Sequence, residues 1–364
     1  MNRKIILISN LILIFFIIAA PALWADRKEA VICDFCKDTI KTQYIEFEGK
    51  KYHPIHFQCD ECGTVIGHIQ FYAKDGKKYC KKCYEKLFAT RCAYCGEIIE
   101  GEFVVANTKS YHRFCYNQYV ATKCAVTGYL IKGDYLKDYW GNVYHPICRD
   151  EYNQCYYCGR FISERTTGGG VEYNDGRNVC NLCLASAVKT NQEALGLLEE
   201  ARDKLAIADI FVTEKISLHL VNLNELKKIA NARMIDPAGY TKFESTLITS
   251  KDFNNNFDIY ILEGMPRFDF ILTAAHELMH VWQYKNGKRD NDFALCEGSC
   301  NYAAYLVLRQ YDEPYAQYLI YNMEKSENEL YGDGYQRVKK YVDDNDVKKW
   351  LKMLTKNKDF PDGY

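Results

Sequence analysis

His53-Pro54-Ile55-His56-Phe57-Gln58-Cys59-Asp60-Glu61-Cys62 carries four metal-ligand side chains at intervals of three. Cys33 and Cys36 stand upstream and Cys80 and Cys83 downstream, so two units run together as C-x2-C-x16-H-x2-H-x2-C-x2-C-x17-C-x2-C. A ligand pair, a stretch long enough to fold back, and a second pair is the spacing with which a short chain surrounds tetrahedral zinc.

The pattern continues outward. A third unit offers Cys92, Cys95, His112 and Cys115, and a fifth offers Cys155, Cys158, Cys180 and Cys183. The fourth, Cys124, His145 and Cys148, has Thr127 where a Cys is needed and reads as an incomplete site. Gly63, Gly96, Gly128 and Gly159 each follow a first pair, where positive φ turns backbone N–H groups toward thiolates. Gly49, Gly76, Gly141 and Gly176 each stand four residues before a second-pair ligand, as a hairpin turn requires. Each unit is therefore expected to be two short hairpins clamped by one ion. A disulfide framework is the alternative, but His has no use in one and fills ligand positions in three units.

The first two units resemble a LIM domain, here residues 31–87, with His56 where such domains more often use Cys. Residues 90–188 resemble a degenerate LIM-like region of three finger units, one incomplete. The resemblance implies structural zinc and recognition of a protein partner.

The remaining composition narrows the classes. With 47 basic against 48 acidic residues, the chain lacks the cationic surplus that nucleic-acid binding needs. At 48% hydrophobic and with 7 Pro in 364 residues it is no disordered chain. Arg3 and Lys4 followed by the apolar run Ile5 to Ala20 read as an export signal within residues 1–25, cleaved after Ala22 or Ala25. An uncleaved membrane anchor is the alternative, and either way the rest of the chain is expected outside the cytoplasm, periplasmic or secreted.

Beyond Cys183 the finger spacing stops. Asn191 to Ile207 reads as an amphipathic helix, Ile216 to Val221 and Phe257 to Leu262 as strands, and Phe268 to Tyr284 as a helix. That last helix contains His276-Glu277-Leu278-Met279-His280. Positions i and i+4 share a face, so both imidazoles can reach one zinc while Glu277 meets the attacking water. Gln283 and Asn286 exclude the metzincin pattern. Glu297, opening Glu-Gly-Ser-Cys-Asn on what reads as a second helix through Leu308, is placed to supply the third ligand in the arrangement of gluzincins. Asn301, one turn on, is placed to hold a liganding His from behind. Cys296 and Cys300 read as small buried apolar residues. Arg267, Tyr331 and Tyr335 are candidate donors to a developing oxyanion.

Three stretches together are similar to the DA-one family of LIM-containing zinc peptidases: Val171 to Arg177 with Cys180, Cys183 and Leu184 to Val188; Gly264-Met265-Pro266-Arg267; and Ala275 to Trp282 with Glu297-Gly298. The chain is identified on them as a bacterial exported member. The resemblance implies an α+β architecture: an N-terminal array of small zinc fingers, then a mainly helical gluzincin metallopeptidase domain with a small β-sheet at 189–364. It implies zinc as cofactor, one catalytic ion and about four structural, and protein or peptide substrates. His276, His280 and Glu297 are the implied ligands and Glu277 the catalytic residue.

Overall fold

The structure, a computed structural model, describes residues 30–230, 238–247, 253–287, 292–326 and 332–364. The export-signal stretch 1–25 and Tyr331 lie outside the described residues. The chain divides into two compact units, the first ending at Thr122 and the second running Lys123–Tyr364.

The first unit contains three fingers. Their second ligand pairs are carried by the antiparallel hairpins Ile45–Phe47 with Lys50–Tyr52, Phe71–Lys74 with Lys77–Cys80, and Phe103–Ala106 with Lys109–His112. Gly49 and Gly76 close two of these hairpins with φ of 75° and 72°, where a Cβ would be strained. The apolar cores are small: Ile45, Phe57, Ile66 and Tyr79 in one cluster, Ile99 and Phe103 in another. Cores of that size hold a fold only with a metal or a crosslink.

The second unit begins with two more fingers and continues into a layer of helices over a three-stranded sheet. Its elements are α1 (Asn191–Ile207), β1 (Ile216–Val221), α2 (Leu223–Ile229), β2 (Gly239–Leu247), β3 (Phe253–Leu262), α3 (Arg267–Asn286), α4 (Phe293–Leu308), α5 (Pro314–Lys325), α6 (Gly332–Asp344) and α7 (Val347–Lys356). The strand order is β1-β3-β2, with β1 parallel and β2 antiparallel to β3, so β2 is an edge strand.

Local chemistry sets the helix starts. Thr190 and Glu193 form a reciprocal capping box at α1. Asp292 accepts from Leu295 N at the start of α4, so that helix begins one turn before Glu297. Helix α3 has no side-chain cap; its first N–H, on Arg267, is bound instead by Ser186 O at 2.8 Å. Gly298 of α4 lies against Gly334 of α6 with no room for a Cβ on either, which lets the two helices cross closely beside Glu297.

One buried cluster joins α1, α3, α4, α6 and α7 with Cys155, Cys158, Cys180 and Cys183. The boundary expected at residue 188 is thus not a boundary of packing, because the fifth finger shares the helices' core. Among the described residues no helix is long and apolar enough to cross a membrane.

Candidate metal centres

All 17 Cys are free thiols. Cys33, Cys36, His53 and His56 converge, as do Cys59, Cys62, Cys80 and Cys83; Cys92, Cys95, His112 and Cys115; and Cys155, Cys158, Cys180 and Cys183. Within each tetrad the ligand atoms lie within 4.8 Å of one another, and contacting pairs stand 3.4–3.9 Å apart, for example Cys36 Sγ to His53 Nδ1 at 3.5 Å and Cys62 Sγ to Cys80 Sγ at 3.8 Å. That spacing suits ligands sharing an ion, and is far beyond the ~2.05 Å of a disulfide. The turn backbone prepares the thiolates. Burial opposes ionisation of Cys33, but N–H groups of Cys36 and His53 lower it to about 5.

The histidine tautomers follow from their other partners. His112 Nε2 lies 3.1 Å from Ile98 O and His145 Nε2 lies 3.2 Å from Leu130 O. A carbonyl can only accept, so Nε2 carries the hydrogen and Nδ1 keeps its lone pair, facing sulfur in His112. In the fourth unit Cys124, His145 and Cys148 converge, and Thr127 Oγ1 takes the remaining corner, 3.5 Å from His145 Nδ1.

The fifth tetrad is built into the helical unit. Its four cysteines are at most 3% exposed. Arg177, also buried, is paired with Asp175 at 2.8 Å and donates to the Tyr157 hydroxyl and to Glu263 O. Val188 N donates to Met265 O and Gly264 N to Val188 O, at 2.8 and 3.2 Å. The Tyr173 hydroxyl occupies the space a side chain on Gly264 would need. The stretches 171–177 and 264–267 are therefore in direct contact, and together they hold the turn that feeds α3.

On α3, His276 and His280 point at Glu297 of α4. His276 Nε2 is 3.2 Å from Glu297 Oε2 and His280 Nε2 is 3.6 Å from Glu297 Oε1. The other ring nitrogens are engaged: His276 Nδ1 meets Asn301 Oδ1 at 2.9 Å, and His280 Nδ1 meets Gln283 Oε1 at 3.2 Å. Gln283 Nε2 donates to Cys296 O at 2.9 Å, which fixes its amide so that Oε1 faces His280 as an acceptor. With the hydrogen on Nδ1, a neutral His280 turns a bare Nε2 toward a carboxylate, and the two adjoin favourably when a metal cation lies between them or when the ring itself takes up a proton.

Charge and burial agree. Burial opposes ionisation of Glu297, yet the two imidazoles hold its carboxyl well below the usual carboxylate range. Burial also disfavours a charged His280, but Cys296 and Glu297 push it well above the ordinary histidine value. Glu297 Oε2 is buried without a hydrogen bond, despite its closeness to His276. An orphaned anionic oxygen among imidazoles fits zinc, and three such side chains could hold an ion with a coordination position left open. Side-chain exposures of 12% and 17% for the two histidines leave the site reachable from solvent.

Glu277 is buried beside this trio. Thr241 Oγ1 of β2 donates to its Oε2 at 2.7 Å, and Gly239 passes so close that a Cβ would strike Oε1. Thr241 and Gln283 were not visible as functional residues in the sequence. Gln283, three residues after His280 on one helix face, carried a local signal, whereas Thr241 reaches Glu277 only through the fold.

Three expectations need correction. Cys296 and Cys300 are not inert filling: their thiols lie 3.0 and 3.5 Å from Gln283 Oε1, and Cys296 is only partly buried. Arg267 is no oxyanion donor, because it is bound to Glu200 at 2.6 Å and lies nine residues from His276, roughly 13 Å along a helix. Tyr335 is 1% exposed and packed against Tyr302 and Tyr305, out of reach of a substrate.

Comparison with known proteins bears first on the fingers. A LIM domain family model matches residues 33–88. Those residues form a LIM domain. The chain is similar to Paxillin-B of Dictyostelium discoideum, 38% identical over 74 residues that cover 20% of this chain and 13% of that protein. It is also similar to the LIM domain-containing protein HDR3 of Oryza sativa subsp. japonica, 26% identical over 307 residues that cover 76% of this chain and 56% of the relative. The chain thus spans little more than half the length of the plant relative. The shared 76% is more than the finger region can supply, so this similarity runs into the helical unit.

Proposed function

We propose that this chain is an exported zinc-dependent endopeptidase of the DA-one-like, gluzincin type, acting on protein substrates, with its LIM region serving partner recognition and scaffolding. The observation that carries the reading is the convergence of His276, His280 and Glu297, each ring braced from behind by an amide oxygen, with Glu277 alongside. The extension of the plant similarity beyond the fingers supports it, and the apolar run near the N-terminus supports export.

In this reading His276, His280 and Glu297 hold the ion. Zinc supplies Lewis acidity to a peptide carbonyl and acidifies a water. Glu277 takes a proton from the attacking water and returns it to the leaving amine. Thr241 occupies Glu277 Oε2, which leaves Oε1, under Gly239, as the oxygen that carries the proton. Among the described residues β2 is one of the two edges of the sheet and carries Thr241 and Gly239 against Glu277, so an extended peptide pairing with it would lie near that carboxylate.

Glu277→Gln is expected to reduce cleavage of an unfolded protein substrate by a factor of about 10²–10⁴ or more, with zinc content and helical signal unchanged. Unchanged cleavage removes Glu277 from the mechanism. The LIM domain itself favours a second reading, a protein-binding protein over an inactive peptidase fold. Absence of cleavage by zinc-loaded protein, together with partner binding that survives loss of residues 190–364, would favour that reading.

A further inference from the structure

One cluster of soft ligands is left over by the fingers and by the helical trio. On the far edge of the His280 ring, Nδ1 faces Cys300 Sγ at 3.3 Å and Cys296 Sγ at 3.9 Å, with Gln283 Oε1 at 3.2 Å. The two cysteines are a turn apart on α4, on one face, as the two histidines are on α3. Both are free, Cys300 fully buried and Cys296 partly exposed. The separations match those inside this protein's own fingers, where Cys95 Sγ and Cys115 Sγ stand 3.4 and 3.9 Å from His112 Nδ1. Sulfur at about 2.3 Å and nitrogen at about 2.0–2.1 Å from a common ion produce such spacings.

We infer that Cys296, Cys300 and His280 Nδ1 form a second metal site, for a thiophilic cation such as Cu(I), Cd(II) or surplus Zn(II), and that its occupation opposes the His276/His280/Glu297 centre. Thiolate-rich sites select ions of that class. The opposition rests on the peptidase-site reading and follows from a single ring. A neutral imidazole has one lone pair. To serve the helical trio, His280 keeps its hydrogen on Nδ1, accepted by Gln283 Oε1. To serve the thiolates it must carry the hydrogen on Nε2, where Glu297 Oε1 at 3.6 Å is the facing acceptor. On binding, the two thiols release their protons to solvent, the ring hydrogen changes nitrogen, and Glu297 loses a partner in holding zinc.

Cadmium chloride added to the zinc-loaded full chain tests this with readouts that need no peptidase activity. The first is alkylation of Cys296, followed by mass spectrometry of its peptide; the second is zinc released to a chromophoric chelator. Wild type is expected to lose Cys296 alkylation and to release more zinc than Cys296→Ser does, the difference being a single ion per chain. Glu297→Gln, which weakens the trio and leaves the thiols intact, is expected to retain cadmium protection of Cys296. Equal alkylation with and without cadmium, or equal zinc release from wild type and Cys296→Ser, overturns the inference. Circular dichroism of Cys296→Ser establishes that its fold is retained. Cleavage by untreated wild type tests the peptidase reading separately, so failure of either is recognised without the other.

Discussion

The finger tetrads and the centre on α3 and α4 use imidazole in opposite tautomers. In the fingers, His112 and His145 give their Nε2 hydrogens to backbone carbonyls, and Nδ1 faces sulfur in His112 and the Thr127 hydroxyl in His145. On the helices, His276 and His280 engage side-chain amides with Nδ1 and face a carboxylate with Nε2. The finger ligands come from adjacent hairpins and fill four corners with sulfur and nitrogen. The helical candidates come from two packed helices and would fill three. A closed tetrad stabilises a fold too small to hold itself, while an open one leaves a position for chemistry. The same element would be structural in one half and reactive in the other because of the scaffold that presents it.

The contrast breaks most severely at the fifth finger, whose cysteines sit in the helices' core. Cys180→Ser is expected to forfeit much of the roughly 10–16 kcal/mol of apparent binding energy typical of a structural zinc, and with it folding of the whole Lys123–Tyr364 unit. Cys36→Ser should leave the thermal transition of that unit unchanged. Equal transitions in the two variants would show that the fifth finger is no part of the helical core.

Gln283→Leu comes next, because it removes the acceptor that sets the His280 tautomer. It should weaken zinc binding at the helical centre by about 10–100-fold, with finger zinc retained, as measured by chelator competition. Unchanged affinity would mean that the ring is oriented by packing alone.

A smaller effect separates the centres by pH. In metal-free protein His280 holds its proton well above the ordinary histidine value of 6.5, so it contributes stability that is complete below 6.5 and is lost as pH rises through the folded value. Glu297, whose carboxyl is depressed from 4.5, contributes above 4.5 and is lost as pH falls through its folded value. Metal-free stability from this pair should therefore be greatest between 4.5 and 6.5. Zinc must displace the His280 proton, so affinity at the helical centre should rise with pH until that proton is gone, with proton release visible by calorimetry in buffers of different ionisation heat.

Legibility in the sequence followed the range of each interaction. Finger ligands, turn glycines and the His276/His280 pair are set by spacing along the chain, so they could be named from it; α1 and β1 fall where periodicity puts them. Glu297 needed only the next helix. What lay hidden depends on which elements pack together. Thr241 reaches Glu277 from an edge strand 36 residues away. The fifth finger's role as a clamp on the turn before α3 arises from Arg177 reaching Glu263 across 86 residues. Cys296 and Cys300 read as filler because a cysteine's polarity shows only when its neighbours are known.

The fourth finger offers the finest test of closed against open centres. Its small core of Val126, Tyr144 and Phe161 is formed, and its turn places Thr127 N 3.5 Å from Cys124 Sγ. Burial opposes ionisation of Cys124, yet the Thr127 hydroxyl and N–H lower it to about 6; burial, then Cys124, push Cys148 up to about 11. The trio thus supplies one ready thiolate and one thiol that a cation must deprotonate. Thr127→Cys would give the ligand set of the third finger on a turn already shaped for it. Zinc per chain is expected to rise by a single ion, with little change in the helical signal, because Thr127 Oγ1 already stands 3.5 Å from His145 Nδ1 and the backbone need not move. If the zinc content does not rise because wild type already fills this site, a hydroxyl is a sufficient fourth corner here, and the number of good ligands ceases to be what distinguishes the two kinds of centre.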